Sequence, residues 1–264
     1  MTKESKIYIY NDNFLSLLAL IIKLAQKRII PTNIKSTDYN GSLFDELCEM
    51  NLPETEASIT YIINKIGYNN FSIIFKLYLS NSEDKELNIY YYFLYSLKYK
   101  EKTIYMKNNK WILNAVKSSS YVSRENHKFK GFTRFKKMEN DIYYAEINPT
   151  NNILSLLSDH FKKRLSTEYW IIKDVNRKIY SIYDKKNLYI VDEKEFRIKD
   201  FKESADEQDF VELWKEFYKT IGISSRENNR CRMNFMPKKY WKYIVEVSDE
   251  LWKKLLWEKN WMKL

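Results

Sequence analysis

The sequence predicts an α+β fold, and three observations indicate that class. Apolar residues recur mainly with a helical period up to about residue 130, alternate as in strands from 131 to 200, and return to helical spacing beyond 201. The chain of 264 residues holds only four glycines and four prolines, too few for a barrel or sandwich with many tight turns. We therefore expect a mainly helical region with a short first strand (1–130), an antiparallel ββαβββ sheet unit (131–200) and C-terminal helices with a basic motif (201–264), together in one compact unit.

The first region is expected to open with a short strand and a buried helix. Lys6–Tyr10 alternates between polar and apolar residues, and the asparagines after it favour a helix cap. The helix from Phe14 to Arg28 is apolar on nearly every side and therefore belongs in the core. The polar stretch Pro31–Pro53 is expected to be irregular, and residues 56–100 to form about three packed helices.

A further helix is predicted from about Asn108 to Lys130, ended by Gly131. Its apolar line is Trp111, Ala115, Val122 and Phe129, which return to one face. At about 100° per residue, Arg124 and Lys128 fall on the far face with His127 beside them, and Glu125 flanks the apolar line. A glutamate that leans towards a core needs a partner, and Arg134 or His127 are the candidates.

The sheet unit is predicted from alternating apolar runs and the turns between them. A glutamate–asparagine–aspartate turn joins the first two runs, and an asparagine- and proline-rich break precedes the helix. The predicted order is strand Phe132–Lys137, strand Ile142–Ile147, helix Ile153–Leu165, and strands Trp170–Asp174, Lys178–Tyr183 and Leu188–Val191.

The last region is predicted to be helical. After the acidic stretch Lys194–Asp209, one side of a helix carries Phe210, Leu213, Phe217 and Ile221. A final amphipathic helix is expected at Ser248–Trp261, because a serine cap is followed by two acidic residues.

Composition argues against metal and cofactor sites and against a membrane or secreted location. The two cysteines are too few for an iron–sulfur cluster and have no metal-like spacing, and histidine occurs only twice, so we expect no cofactor and no metal. The first residues lack a signal-peptide layout, and the most apolar run, Phe14–Ile22, is too short to span a bilayer. We expect a cytoplasmic protein that does not contact a membrane.

Positive charge is concentrated in two motifs. The net charge is +10, and residues 122–138 carry six Lys/Arg against one acidic residue while residues 222–264 carry ten against five. Clustered cations suit a polyanion, because each neutralised phosphate releases counterions. A lysine-rich solvated surface is the alternative, and Tyr240 could instead anchor a helix in the core. The residues predicted to contact nucleic acid are Arg124, Lys128, Lys130, Arg134, Arg226, Arg230, Arg232, Lys238, Lys239 and Tyr240.

No phosphate-binding glycine loop, zinc-protease motif, redox motif or nucleophile elbow occurs in the sequence. The best acid–base candidates are Glu125 and His127, which His160 and Arg134 could join, because histidine titrates near neutrality and a half-buried glutamate can have a shifted pKa. Neighbouring helix residues point apart, however, so a structural glutamate–arginine pair is the alternative.

Five segments resemble the family called domain of unknown function 4130. They are IYIYNDNFLSLL, VSRENHKFKGFTRF, ILSLLSDHF, YWIIKDVNRK and LWKEFYKTIGISSRENNRCRMNFMPKKYW, in the family's order over nearly the whole chain. The resemblance implies a setting in DNA metabolism or repair, beside a radical-SAM protein thought to modify or repair DNA. In that family the domain also occurs fused to an X-type uracil-DNA glycosylase, a part that this sequence lacks.

Three functions follow as expectations from the residues and the resemblance together. The first is a DNA-binding accessory protein in bacterial DNA repair or modification, acting with a radical-SAM or glycosylase partner. The second is a nucleic-acid-processing enzyme that uses Glu125 and His127 as its acid–base pair. The third is an adaptor whose basic motifs dock the radical-SAM partner.

Overall fold

The computed structural model describes residues 6–37, 39, 46–49 (backbone only), 56–196, 202–221 and 228–246. The chain divides into two compact units. The first contains the residues up to Arg124 together with Thr150–Asn152, and the second contains Glu125–Pro149 and the residues from Ile153 onward. The predicted α+β class is confirmed, since helices flank a five-stranded, mostly antiparallel sheet.

The first unit combines a small parallel sheet with a helical core. The buried helix, the three helices within 56–100 and the long helix after them are all confirmed as elements, with bounds close to those predicted. Tyr8, Leu17, Ile62 and Phe93 are among the residues of its hydrophobic core. The elements are β1 (Lys6–Tyr10), α1 (Phe14–Gln26), β2 (Asn33–Ser36), β3 (Glu46–Glu49), α2 (Ala57–Ile66), α3 (Tyr68–Leu79), α4 (Lys85–Tyr99), a 3₁₀ helix (Lys100–Tyr105) and the first part of α5 (Lys110–Phe132).

The expectation that Pro31–Pro53 is irregular was wrong, because β2 and β3 lie within it. Each pairs in parallel with β1, in the order β2–β1–β3. Both new strands have only four residues and mixed polarity, so they carry little periodic signal of their own. The central strand supplies the pairing edge on both sides.

The second unit is built on a mixed sheet in the order β4–β5–β6–β7–β8. The prediction of an entirely antiparallel unit was wrong for one pair, since β5 and β6 run parallel with Tyr144 opposite Ile171. Helix α6 connects them, and a crossover helix is what joins parallel neighbours. The elements are β4 (Lys136–Lys137), β5 (Ile142–Ile147), α6 (Leu154–Arg164), β6 (Tyr169–Asp174), β7 (Ile179–Tyr183), β8 (Leu188–Asp192), α7 (Glu207–Ile221), α8 (Asn229–Phe235) and a second 3₁₀ helix (Lys238–Tyr243).

Helix α5 was predicted to end at Gly131 but continues to Phe132. Gly131 keeps a negative φ, so it is not the left-handed cap that ends many helices. The backbone N–H and the hydroxyl of Thr133 both donate to the Phe129 carbonyl, at 3.0 and 2.7 Å, and close the last turn. The predicted strand Phe132–Lys137 is consequently reduced to the two residues of β4.

Helix α7 is confirmed, but among the described residues its apolar side faces outward. Phe210, Leu213, Phe217 and Ile221 are each more than half exposed. The first residue of the helix is held to the sheet, where the buried Glu207 carboxylate accepts from the Lys137 N–H at 2.8 Å.

Within the described ranges, no helix is both long enough and apolar enough to cross a membrane. The helix predicted at Ser248–Trp261 lies outside those ranges, as does Arg226.

Candidate nucleic-acid interface

In the second half of α5, side chains are buried or exposed as the helical period predicts. Val122 and Phe129 are buried, and Glu125 lies between them on the same side with only 7% of its surface exposed. The cationic residues of this first basic motif point away from that side. Arg124, His127 and Lys130 are exposed, and Lys128 is half-buried.

The second 3₁₀ helix supplies the partners of Glu125. The Tyr240 hydroxyl donates to Glu125 Oε1 at 3.4 Å, and Lys239 Nζ lies 3.7 Å from the same oxygen. Arg134 and His127 were the expected partners, whereas Tyr240 and Lys239 make these two contacts. Residues more than a hundred positions away in sequence provide the pairing, which local reasoning could not find.

The ring of Tyr240 fixes the second basic motif against α5. Its centroid lies 5.1 Å from that of Phe129 and 5.4 Å from that of Phe132, and the residue is only 4% exposed. Burial raises the pKa of the Tyr240 hydroxyl, so it remains a protonated donor at neutral pH. Tyr240 was predicted to contact nucleic acid, but with 4% of the residue exposed its ring is not accessible to a base.

Trp241, the neighbour of Tyr240, is likewise part of the core. Its Nε1 donates to the Met236 carbonyl at 2.9 Å, and the Arg232 guanidinium lies 5.0 Å from its ring centroid. Lys238 Nζ approaches the same ring to 5.9 Å. The tryptophan therefore positions cations of α8 and of the 3₁₀ helix by cation–π contact.

Arg134 has a structural partner in the last described residue. Its Nη2 and Nε reach the two carboxylate oxygens of Glu246 at 2.5 and 3.3 Å, and Trp214 Nε1 donates to Oε2 at 3.2 Å. Burial works to raise the pKa of Glu246, but the hydrogen bonds and charge of Arg134 outweigh it and hold that pKa below its ordinary value. Arg134 thus ties the end of α5 to the chain after the 3₁₀ helix.

The packing of the 3₁₀ helix on α5 brings cations of both motifs into one unit. We call this set the basic surface: Lys128, Lys130, Arg230, Arg232, Lys238 and Lys239. Arg230, Lys238 and Lys239 are exposed and Arg232 is half-buried. Glu125, which contacts Lys239, has its charge buried beneath this surface.

The pKa of His160 on α6 is affected by positive charge from the first motif. Burial lowers the pKa of its imidazole, and the charges of Lys130 and Arg164 lower it further. These cations therefore lie close enough to disfavour the charged form of the ring. Arg164 was not predicted as a site residue, although it belongs to a run of three cations at the end of α6.

Two predicted site residues stand apart from this arrangement. Arg124 belongs to the first unit, where its guanidinium lies 4.7 Å from the Tyr121 ring and its Nε donates to the Ser120 carbonyl. His127 is exposed while Glu125 is buried, so the two do not face one cleft as an acid–base pair. Among the described side chains, no group of three His, Cys, Asp or Glu is placed to hold a metal ion.

A family model describes the part of the chain that carries this geometry. The model of a domain of unknown function (DUF4130) matches residues 83–246, well over half of the chain. The chain belongs to this family. The DUF4130 segment runs from just before α4 to Glu246 and includes the first basic motif and the second up to Glu246, whereas the resembling segment at the start of the chain lies outside the match. No curated protein and no solved structure matches the chain.

Proposed function

We propose that the protein binds DNA through the basic surface and acts as an accessory in bacterial DNA repair or modification. The observation that carries the proposal is the docking of the second basic motif on the first. Tyr240 packs against Phe129 and Phe132 and donates to Glu125, so two clusters of cations separated by about a hundred residues share one unit. A surface of this kind neutralises several phosphates at once, which is the main source of affinity for nucleic acid.

The shapes of the cations support phosphate contact. Arginine donates to two phosphate oxygens in a fixed fork, and Arg232 is further oriented by the Trp241 ring beneath it. Because the tyrosine and tryptophan of this motif are buried, we propose contact with the backbone rather than stacking on bases. The same surface then accepts many sequences, as suits a protein that works with a separate catalytic partner.

The radical-SAM or glycosylase partner is the further part of this proposal, and it rests on the resemblance to DUF4130 proteins. The two cysteines of this chain are too few for the iron–sulfur cluster of such a partner, and Glu125 is buried while His127 is exposed. We therefore assign the reaction to the partner and DNA binding to this chain.

A second candidate is an adaptor that docks the partner protein directly. The outward apolar side of α7 favours it, because exposed apolar patches are typical of protein–protein contact sites. Co-purification of the two proteins that survives nuclease treatment, without measurable binding to DNA, supports the adaptor over the DNA-binding proposal.

The test is a salt series of DNA binding with matched variants. Lys130→Ala and Arg230→Ala each remove one exposed cation of the basic surface, and Lys186→Ala removes an exposed lysine of the β7–β8 turn in the same unit. Removing one cation that binds a phosphate should flatten the slope of log affinity against log salt by about 0.9 for duplex or about 0.7 for single strands. At about 0.1 M salt this corresponds to roughly eight-fold weaker duplex binding for each such cation.

The control variant should retain both slope and affinity. An equal decrease in Lys186→Ala would show that net charge, and not the basic surface, is responsible. If the intact protein binds neither single-stranded nor duplex DNA at low salt, the proposal fails.

A further inference from the structure

A cavity of about 450 Å³ lies in the second unit between the β4–β5 hairpin, α7 and the end of the second 3₁₀ helix. Its volume falls in the range of small-molecule sites, about 300–1,000 Å³. Four cations line it: Arg134, Lys136, Lys215 and Lys242. Two tyrosines, Tyr144 and Tyr243, add aromatic wall.

Positive charge dominates this cavity even after its carboxylates are considered. Glu146 and Glu203 are the acidic residues that line it, and Glu246 pairs with Arg134, so the four cations exceed these three carboxylates by one charge. Both lining carboxylates already accept hydrogen bonds from the protein, Glu146 from the Tyr144 hydroxyl at 3.0 Å and Glu203 from Lys136 Nζ at 2.5 Å. The lining is therefore suited to an anion.

The two tyrosines indicate which kind of anion suits the cavity. A bare phosphate fills only a small part of a cavity of this volume, whereas a nucleotide adds a sugar and a flat base that aromatic rings can contact. Burial raises the pKa of the Tyr144 hydroxyl, which keeps that side chain neutral beside a negatively charged ligand.

We propose that this cavity binds a phosphorylated nucleotide, with Lys215 and Lys242 contacting the phosphate and the tyrosine rings contacting the base. The nucleotide is either free or the phosphorylated end of a strand. The second source rests on the proposed function, because one 3₁₀ helix gives Lys238 and Lys239 to the basic surface and Lys242 and Tyr243 to the cavity. One short helix therefore contributes residues to both the basic surface and the cavity.

Calorimetric titration with deoxynucleoside monophosphates, the matching nucleosides and inorganic phosphate tests the site. The monophosphates should bind at least about ten-fold more tightly than either part alone, since both the phosphate and the base find partners. Lys215→Ala should weaken monophosphate binding about ten-fold or more, the scale of one charged hydrogen bond, and Lys186→Ala should leave it unchanged. Absence of monophosphate binding at millimolar concentration, equal binding of inorganic phosphate, or equal effects of the two variants would overturn the inference.

Short oligonucleotides with and without a terminal phosphate separate the two sources. Tighter binding of the phosphorylated end, abolished in Lys215→Ala, assigns the cavity to strand ends; no gain from the phosphate assigns it to free nucleotides. Lys130→Ala should weaken oligonucleotide binding and leave monophosphate binding intact. Monophosphate binding without DNA binding would contradict the proposed function and support nucleotide binding in the cavity. Salt-dependent DNA binding without monophosphate binding would support the proposed function and contradict nucleotide binding in the cavity.

Discussion

The contact between Glu125 and Tyr240 can be measured as the link that docks the second basic motif on α5. Three variants define a double-mutant cycle: Glu125→Ala, Tyr240→Phe and the two together. Tyr240→Phe removes only the hydroxyl and keeps the ring against Phe129 and Phe132. Glu125→Ala removes the acceptor and leaves a buried hydroxyl behind.

The expected magnitudes follow from distance and burial. At 3.4 Å the hydrogen bond is long for a charged acceptor, so we expect Tyr240→Phe to cost about 1.5 kcal/mol, the low end for such bonds. Glu125→Ala should cost about 2–4 kcal/mol, because the unsatisfied hydroxyl costs about 1–3 and the missing methylenes add packing loss. Lys239 is 53% exposed, so Lys239→Ala should cost less than about 1 kcal/mol.

Urea denaturation of the single and double variants gives the coupling energy, which should be about 1–1.5 kcal/mol. Glu125→Gln should retain most of the stability and the DNA affinity of the intact protein, since the amide oxygen still accepts from Tyr240. If Glu125→Ala and Glu125→Gln both leave stability unchanged and yet abolish turnover of a modified oligonucleotide, Glu125 acts chemically and the structural assignment is refuted.

Three further outcomes are expected from the same unit. The protein has only two histidines, so proton NMR can follow His160; its pKa should rise on addition of DNA and in Lys130→Ala, because a phosphate favours the charged ring and the lysine disfavours it. An unchanged pKa with saturating DNA would place the phosphates elsewhere. The lowered pKa of Glu246 stabilises the fold above its unfolded value of about 4.3, and this stabilisation is lost as pH falls through the folded pKa. Glu246→Gln should therefore be less stable than the intact protein at neutral pH and lose less stability on acidification, as urea denaturation at several pH values would record; parallel pH curves would contradict it. Phe217→Ser on the outward side of α7 should change the free energy of unfolding by less than about 0.5 kcal/mol, and a loss above about 2 kcal/mol would show that this side is covered in solution.

Much of the element order was predictable because its signals are local. The strand Ile142–Ile147 was predicted with its observed bounds, and Asn13 caps α1 by accepting from the Ser16 N–H. The inward placement of Glu125 also followed from the period of α5. Each of these depends on a few consecutive residues, whose periodicity and capping groups are visible in the sequence.

The candidate site was only half predictable. The two clusters of cations are visible in the sequence, since clustering is a property of composition along the chain. Their joining was not, because it depends on Tyr240 reaching Glu125, residues 115 positions apart. The cavity is lined by residues of β4, β5, α7 and the second 3₁₀ helix, and no local sequence pattern indicates that these four elements come together.

The sequence by itself thus determined the class of fold, the helices and strands with strong periodicity, and where the positive charge lies. The tertiary structure decided which strands pair in parallel, that Lys239 contacts Glu125, and that Arg134 forms an ion pair with Glu246. The physical reason is the same in each case. Pairing between distant segments is selected by the free energy of the whole packed unit, in which loop closure, burial and hydrogen bonding are satisfied together, and that selection leaves no mark on any short stretch of sequence.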